Sequence, residues 1–393
     1  MTKQAQRWPI HAEDEIKAVS DVLASGFTNY WTGKECREFE KEFAAFVGTE
    51  YAIALMNGTV ALEAALYALD IGPGDEVITT CRTFIASASC IVMRGATPVI
   101  ADIDSTTQNM TAATIRPCLT SRTKAIVVVH LAGWPADMEA ILALANQFNI
   151  KVIEDCAQAH GAMIHNKQAG SWGHVAAFSF CQDKIITTGG EGGMVTTNDK
   201  AIWKKVWSFK DHGKDYDKVH HHDHPPGFRW LHDSFGTNWR MTEMQAAIGR
   251  VQLRKLDDWL KIRNRNANIL NACFLNHPAL RVTLPPENIR HAYYKYYVFI
   301  KPEHLKPDWS RDRIMQEVNA QGVSCFVGSC SDINLEKAFH AMNPGINTKK
   351  PVAKILGETS LMFLVDPTQT EQAMQKTANA LLSVLDAACQ AEN

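Results

Sequence analysis

From about residue 50 onward, short apolar runs alternate with longer amphipathic ones, and no other feature of the sequence restricts the fold as strongly. The apolar runs YAIALMN, DEVITT and KAIVVVHLAG predict strands, and the runs GTVALEAALYALD and DMEAILALANQFN predict helices. Strands that alternate with helices pack into a mostly parallel sheet that is covered on both faces. The sequence therefore predicts an α/β domain.

The pattern changes at Met241, where a long run with helical periodicity begins. Beyond it, YYKYYVFI and GVSCFVG predict strands, and TEQAMQKTANALLSVLDAAC predicts a closing helix. We therefore predict a large domain with an N-terminal helix over residues 1–265, and a small C-terminal α+β domain over residues 266–393.

The composition argues against several classes of protein. The 393 residues carry a net charge of −2, so no basic field indicates a nucleic-acid partner. The start, MTKQAQRWPIHAEDE, lacks the apolar core of a signal peptide, and no apolar run is long enough to span a membrane. The ten cysteines form no CxxC pair, which favours reduced thiols. We expect a cytoplasmic protein without membrane insertion.

A single lysine, Lys184, stands in the segment FSFCQDKIITTGGEGG. The predicted strands HVAAFSF and GGMVTTND flank this segment, and four glycines follow the lysine. A surface lysine needs no such setting, whereas a lysine that must react with a carbonyl group in a confined space does. Lys184 is therefore a candidate Schiff-base amine.

Ligands of open α/β sheets bind beyond the carboxyl ends of the strands, which directs attention to the residues at those ends. Asp155 ends the run KVIED, although an aspartate there could equally cap a helix or bind a metal. Gly58 and Thr59 stand where a strand turns into a helix, an arrangement that can bind an anion or serve as a plain helix cap. Ser179 offers a second hydroxyl group, and Phe84 an aromatic face, although both residue types are usually structural.

Taken together, these residues supply what pyridoxal phosphate requires: a phosphate site, a stacking face, a carboxylate for the pyridinium nitrogen and a Schiff-base lysine. The segments FSFCQDKIITTGGEGG, EDCAQAHG, NGTVALEAAL and GTNWRMTEMQAAIGRVQL, in this order, resemble the DegT/DnrJ/EryC1/StrS sugar aminotransferases. The resemblance extends from about residue 15 to near the C-terminus. It implies a type I aminotransferase fold, a pyridoxal 5'-phosphate cofactor and a homodimer with shared active sites.

The resemblance also implies a role for individual residues. Lys184 would be the Schiff-base lysine, and Asp155 would pair with the pyridine nitrogen. The other implied cofactor contacts are Gln158 and Phe84 at the ring, Gly58, Thr59 and Ser179 at the phosphate, and Asn238 at the phosphate bound to the other subunit.

The chain departs from the family pattern in two places. Cys181 stands where the family often has histidine, which leaves the cofactor chemistry intact but can reshape the pocket. The segment before Asn238 is long and contains His220, His221, His222 and His224. Consecutive histidines cannot all face one ion, and no acidic or cysteine partner has helical spacing, so we predict a solvated loop and no metal site.

Three other functions can be weighed against an aminotransferase. Sugar dehydratases of the family have histidine in place of the lysine. A non-catalytic regulator that binds the cofactor would normally bring a DNA-reading module, for which the chain has neither a basic patch nor spare length. A nucleotide-binding protein would need GGEGG as its phosphate loop, and that string lacks both the GK[ST] ending and the GxGxxG spacing. The sequence therefore predicts an aminotransferase, with L-glutamate as the donor that the family suggests.

The acceptor is expected to be a sugar. The chain most resembles the family members that aminate C8 of an oxidised 3-deoxy-D-manno-octulosonate (Kdo) for lipopolysaccharide. Most of the family instead aminates a 3- or 4-keto sugar carried on a nucleoside diphosphate, and this alternative stays open. A sugar carboxylate would need a cation, which Arg229 or the nearby histidines could supply, although each could equally be an ordinary solvated side chain.

Overall fold

A seven-stranded sheet forms the centre of the computed structural model, which describes residues 7–223, 229–340, 342, 348 and 350–390. The strands of the described chain are β1 (Tyr51–Leu55), β2 (Glu76–Thr80), β3 (Thr97–Ala101), β4 (Thr123–Val129), β5 (Lys151–Asp155), β6 (Met163–Ile164), β7 (Lys167–Gln168), β8 (Val175–Ser179), β9 (Gly193–Thr197), β10 (Leu280–Arg281), β11 (Ile289–Arg290), β12 (Tyr296–Ile300), β13 (Cys325–Phe326) and β14 (Ser360–Phe363).

The helices of the described chain are α1 (Glu13–Ser25), α2 (Glu35–Val47), α3 (Gly58–Ala68), α4 (Ala86–Met93), α5 (Ala112–Ile115), α6 (Met138–Gln147), α7 (Lys200–Lys210), α8 (Tyr216–His220), α9 (Glu243–Phe274), α10 (Arg311–Ala320), α11 (Pro351–Thr359) and α12 (Glu371–Ala388). None of them combines the length and the apolar character that a bilayer-crossing segment needs.

The large sheet has the strand order β1-β9-β8-β5-β4-β2-β3. The strand β9 runs antiparallel to both of its neighbours, and the other strands run parallel to one another. Every residue of β2, β8 and β9 is buried, as expected for strands that are covered on both faces. The prediction of a mostly parallel, covered sheet is confirmed, with one antiparallel strand that follows the lysine segment.

Because β1, β2, β5 and β8 point the same way, the segments that follow them meet at one edge of the sheet. The helix α3 begins three residues after β1, at Gly58, and Asp155 is the last residue of β5. The segment between β8 and β9 carries Lys184 along the same edge. The topology therefore brings together residues that are far apart in the sequence.

A second, antiparallel sheet, of strand order β10-β12-β14-β13, forms the small C-terminal unit. Its apolar core begins at Ala267 within α9 and includes Phe274, Val298, Leu361 and Leu385. This core starts close to the predicted boundary between residues 265 and 266. The helix α9 crosses that boundary without a break, so the division into two domains stays a prediction.

Candidate active site

A cavity of about 1100 Å³ opens at the edge where the strand ends meet, and the small C-terminal sheet closes its other side. Seven of the eight cofactor residues predicted from the sequence line this cavity: Gly58, Thr59, Phe84, Asp155, Gln158, Ser179 and Lys184. These residues come from four separate segments of the chain. The fold therefore brings them to one place.

The turn between β1 and α3 forms a cup for an anion. The Asn57 side chain caps α3 by accepting a hydrogen bond from the Val60 N–H at 3.0 Å. A Cβ atom at Gly58 would lie 2.6 Å from the Cβ of Ser179, so only glycine allows this close approach. The Ser179 hydroxyl accepts a hydrogen bond from the Cys181 N–H at 3.3 Å. A helix N-terminus beside a serine hydroxyl favours a phosphate.

Asp155 is a buried carboxylate that lines the cavity. Its Oδ2 accepts a hydrogen bond from the Ser87 hydroxyl at 2.8 Å, and its Oδ1 accepts one from the Ala157 N–H at 3.1 Å. Burial raises the pKa of Asp155, and these hydrogen bonds and the charge of Lys184 offset only part of that effect. A cationic ring nitrogen facing this carboxylate would stabilise its charged form and so oppose the effect of burial on the pKa.

Two further residues are placed to contact a flat ring. The Gln158 side chain is fixed because its Oε1 accepts a hydrogen bond from the Ala132 N–H at 2.8 Å. Phe84 lies on the segment after β2, lines the cavity, and leaves 68% of its surface exposed. A large aromatic side chain that the protein itself does not cover is available to a ligand.

Lys184 is held by its backbone rather than by its amine. Its carbonyl accepts a hydrogen bond from the Trp8 indole at 2.8 Å, and its N–H donates to the Cys181 carbonyl at 3.1 Å. The side chain is 17% exposed, and the Nζ lies 3.9 Å from Oδ1 of Asp183 and 5.1 Å from the centroid of the Tyr294 ring. The amine is therefore confined in the cavity but stays available for reaction.

Three residues beside Lys184 were missed by sequence reasoning. The Tyr294 hydroxyl donates a hydrogen bond to Asp183, and the Lys295 Nζ lies 3.7 Å from Oδ2 of Asp183. Although burial opposes ionisation, the charge of Lys184, the Tyr294 hydrogen bond and Lys295 hold the pKa of Asp183 below its usual value. The predicted strand YYKYYVFI begins only at Tyr296, so Tyr294 and Lys295 precede it and reach the cavity. The sequence signal that could have identified these residues was Lys295 itself, a charged side chain among four tyrosines in a predicted strand.

The remaining predicted residues do not join this cluster in their own chain. Asn238 forms a β-bridge with Asp211 and is not among the residues that line the cavity. Arg229 is exposed and also lies outside that lining.

In the described part of the histidine-rich segment, the side chains share no common direction. His224 lies outside the described residues. His220 packs against Tyr216, whereas His221 is 3.1 Å from Oδ1 of Asp217, so neighbouring histidines turn to different partners.

In the described part of the chain, one group of three side chains has the types and spacing of metal ligands: His130, Glu154 and Cys156. The His130 Nε2 lies 3.0 Å from Glu154, and its Nδ1 accepts a hydrogen bond from the Ala136 N–H at 3.0 Å. The Glu154 oxygens also accept three backbone N–H groups of residues 170–173. These hydrogen bonds account for the buried histidine and carboxylate without an ion.

The residues of the cavity fit pyridoxal phosphate. A Cβ atom at Gly58 would fill the anion cup, which explains the glycine, and the buried carboxylate of Asp155 has the character that a pyridinium nitrogen needs. The amine of Lys184 is confined in the same cavity. The donor set therefore matches the phosphate, the ring nitrogen and the aldehyde of this cofactor.

Comparisons with known proteins agree with this chemistry. A sequence model of the DegT/DnrJ/EryC1/StrS aminotransferase family matches residues 9–382. The GDP-perosamine synthase of Caulobacter vibrioides is 43% identical over 74% of this chain and 75% of the relative. The UDP-N-acetyl-3-dehydro-alpha-D-glucosamine 3-aminotransferase of Acidithiobacillus ferrooxidans is 35% identical over 90% and 89%. The crystal structure of an aminotransferase from Psychrobacter cryohalolentis is 54% identical, with a TM-score of 0.95 over 98% of this chain and 99% of that one.

Proposed function

The chain belongs to the DegT/DnrJ/EryC1/StrS aminotransferase family, and from this membership we propose that it moves an amino group from L-glutamate to a keto sugar carried on a nucleoside diphosphate. That it is a sugar aminotransferase dependent on pyridoxal 5'-phosphate follows from the family itself. The products of the proposed reaction are 2-oxoglutarate and the amino sugar. The nucleotide-linked acceptor is supported by the names of the two relatives, a GDP-sugar and a UDP-sugar enzyme.

The observation that carries the proposal is the confined amine of Lys184 in one cavity with Asp155 and the anion cup at Gly58. Lys184 would hold the cofactor, Asp155 would pair with its ring nitrogen, and Gly58, Thr59 and Ser179 would bind its phosphate. Bound pyridoxal phosphate supplies an electron sink for the charge that develops when the donor loses its α-proton.

The side chains then perform the proton transfers. The Lys184 Nζ would take the proton from the donor Cα and deliver it later in the same half-reaction, because it is a basic side chain confined in the cavity. Asp155 would keep a proton on the ring nitrogen, because a facing cation would stabilise its buried carboxylate. The buried Tyr294 ring, whose centroid is 5.1 Å from the Lys184 Nζ, would restrict access of water to this amine.

We also propose that the enzyme is a homodimer with shared active sites, in which Asn238 reaches the phosphate site of the partner subunit. Asn238 lies outside the cavity of its own chain but close to the end of β1, since the neighbouring Trp239 carbonyl accepts a hydrogen bond from the Met56 N–H at 3.0 Å. Mixed dimers of Lys184→Ala and Asn238→Ala chains should regain activity, because each contains one undamaged site. Exchange of subunits without any recovery would contradict this arrangement.

The acceptor is tested with a panel of amino sugars added to the cofactor-loaded enzyme, followed by the absorbance of the bound cofactor. We expect a GDP-, UDP- or dTDP-linked 3- or 4-amino sugar to react, and Lys184→Ala to lose activity with every compound. The panel includes the C8 amino sugar acid, because the octulosonate acceptor predicted from the sequence stays a prediction. Reaction with that acid alone would replace the nucleotide-linked acceptor, and reaction with no amino sugar would contradict the proposed function.

A further inference from the structure

The charges that line the cavity are unevenly distributed. Four of the lining residues are acidic: Asp155, Asp183, Glu191 and Glu336. Only two lining residues in the described part of the chain are lysine or arginine, namely Lys184 and Lys295. Since Lys184 is committed to the cofactor, Lys295 is the one lysine or arginine among the described lining residues that is left for a negatively charged substrate group.

The Lys295 ammonium lies in the cavity wall, and its N–H groups donate no hydrogen bond to the described residues. Its side chain is only 17% exposed, and its Nζ lies 4.6 Å from the centroid of the Tyr294 ring. The 3.7 Å that separates it from Oδ2 of Asp183 is an ion-pair distance, longer than a charge-assisted hydrogen bond. Among the described residues the ammonium has no hydrogen-bond partner, so its N–H groups are available to a ligand.

The neighbours of Lys295 tie its position to that of Lys184. Both amines lie near the Tyr294 ring, each within 5.1 Å of its centroid, and Asp183 is within 3.9 Å of both ammonium groups. Arg263 is buried and donates hydrogen bonds to the Tyr293 and Tyr294 carbonyls. A substrate amine that reacts beside Lys184 therefore brings its other groups within reach of Lys295.

The electrostatic setting of Lys295 favours an anion. Burial lowers the pKa of Lys295, and the charge of Arg263 acts in the same direction, while Asp183 opposes both. Asp183 is more exposed than Lys295, so water screens its charge. An oxyanion that entered the cavity could form the short hydrogen bond to the ammonium that Asp183 does not form.

We propose that Lys295 receives an oxyanion of the substrate and that Asp183 is the exchangeable counterion which this oxyanion displaces. The inference rests on the proposed function, because both half-reactions then bring such a group: the side-chain carboxylate of L-glutamate and the diphosphate of the sugar nucleotide. Asp183 returns to Lys295 when the cavity holds no anion. Lys295 is thus available to either substrate, although the two differ in shape.

The test compares Lys295→Met, which keeps the length of the side chain, with Lys295→Arg, which keeps the charge. Each cofactor-loaded variant is given L-glutamate, L-glutamine and a nucleotide-linked amino sugar in separate half-reactions. We expect Lys295→Met to raise the KM for the substrates whose oxyanion it binds by about 10-fold to 100-fold, the effect of one charge-assisted hydrogen bond. The KM for L-glutamine, which lacks the side-chain charge, should change little, and Lys295→Arg should restore much of the loss.

A binding measurement separates recognition from turnover. Glutarate and a nucleoside diphosphate are titrated into the cofactor-loaded protein by calorimetry. Lys295→Met should weaken binding of at least one probe, and Asp183→Asn should tighten binding of the same probe by about threefold to tenfold, since the competing carboxylate is gone. A general loss of structure would weaken binding in both variants, so opposite changes in affinity are specific to the proposal. If Lys295→Met does not fold, the affinity of Asp183→Asn alone tests it.

The outcomes are distinct. A loss limited to L-glutamate and glutarate assigns Lys295 to the donor carboxylate, and a loss limited to the sugar and the nucleotide assigns it to the phosphate. Unchanged KM and binding in both arms, or weaker binding in Asp183→Asn, would overturn the inference. Failure of the wild-type enzyme with every sugar would instead count against the proposed function, and the L-glutamate arm would still test Lys295.

Discussion

The two walls of the cavity are built in different ways. The sheet wall is made of residues at strand ends or helix starts, such as Gly58, Asp155 and Ser179, whose backbones are fixed by the seven-stranded sheet. The opposite wall contains Tyr294 and Lys295, which precede β12, and residues 328–330 of the small C-terminal unit, all from irregular segments. Strand pairing therefore fixes the backbone of one wall, whereas a few side-chain contacts position the residues of the other.

This difference shows how one fold can keep a cofactor and change its substrate. Replacing a residue in an irregular segment disturbs few backbone hydrogen bonds, whereas moving a strand end disturbs the sheet. We therefore expect changes in the sheet wall to affect the cofactor and turnover, and changes in the opposite wall to affect the substrate KM. Three substitutions test this expectation.

The largest effect is expected for Asp155→Asn. A neutral amide cannot hold positive charge on the ring nitrogen, so turnover should fall by about 100-fold to 1000-fold. Steady-state kinetics with saturating cofactor measures this loss. Turnover within twofold of wild type would remove Asp155 from the mechanism and weaken the contrast between the walls.

The same variant should make the cofactor-free protein more stable. Burial raises the folded-state pKa of Asp155 above its unfolded value, so the unfolded chain loses this proton first and stability falls as the pH rises between the two pKa values. Asparagine removes that penalty. Thermal melting should show a higher Tm for Asp155→Asn at neutral pH, with the gain disappearing as the pH falls below the unfolded pKa of an aspartate.

An intermediate effect is expected for Gly58→Ala. The new Cβ would lie 2.6 Å from the Cβ of Ser179, so the anion cup must widen, and cofactor affinity should fall by about 10-fold to 100-fold. Gly72→Ala is the matched control, because a Cβ there meets no atom within 4 Å and the residue has no left-handed φ. Cofactor titration measures both variants, and equal affinities would show that the cup does not depend on this close approach.

The smallest effect is expected in the opposite wall. The Tyr297 hydroxyl accepts a hydrogen bond from the Ser329 N–H at 2.8 Å, which holds the segment beside Gly328 (φ 91°) against the tyrosine ring. Tyr297→Phe removes a contribution of about 1 kcal/mol, so the sugar KM should rise by roughly fivefold or less. Cofactor affinity should stay unchanged. A loss of cofactor binding in this variant would break the distinction between the two walls.

The sheet wall was largely predictable from the sequence, because its residues adjoin elements that periodicity reveals. Asp155 ends a predicted strand, and Gly58 begins a predicted helix, so the parallel topology alone places them together. The Asp183–Tyr294 hydrogen bond joins residues 111 positions apart, and Tyr294 lies within the predicted strand YYKYYVFI but precedes the observed strand β12. Hydrophobic periodicity carries no information about such irregular segments. The positions of Asn238 and Arg229 relative to a partner subunit depend on a second chain and stay predictions.

The hydrogen bond from the Trp8 indole to the Lys184 carbonyl bears on when a newly made chain becomes active. Its two ends are 176 residues apart, and Tyr294 follows more than a hundred residues later. Contacts of such long sequence separation form late, because the entropy of closing the intervening loop must be overcome first. Ribosome-bound fragments that end before Tyr294 should therefore hold the reactive lysine in an open cavity. Activity then begins only after synthesis of the chain has passed Tyr294.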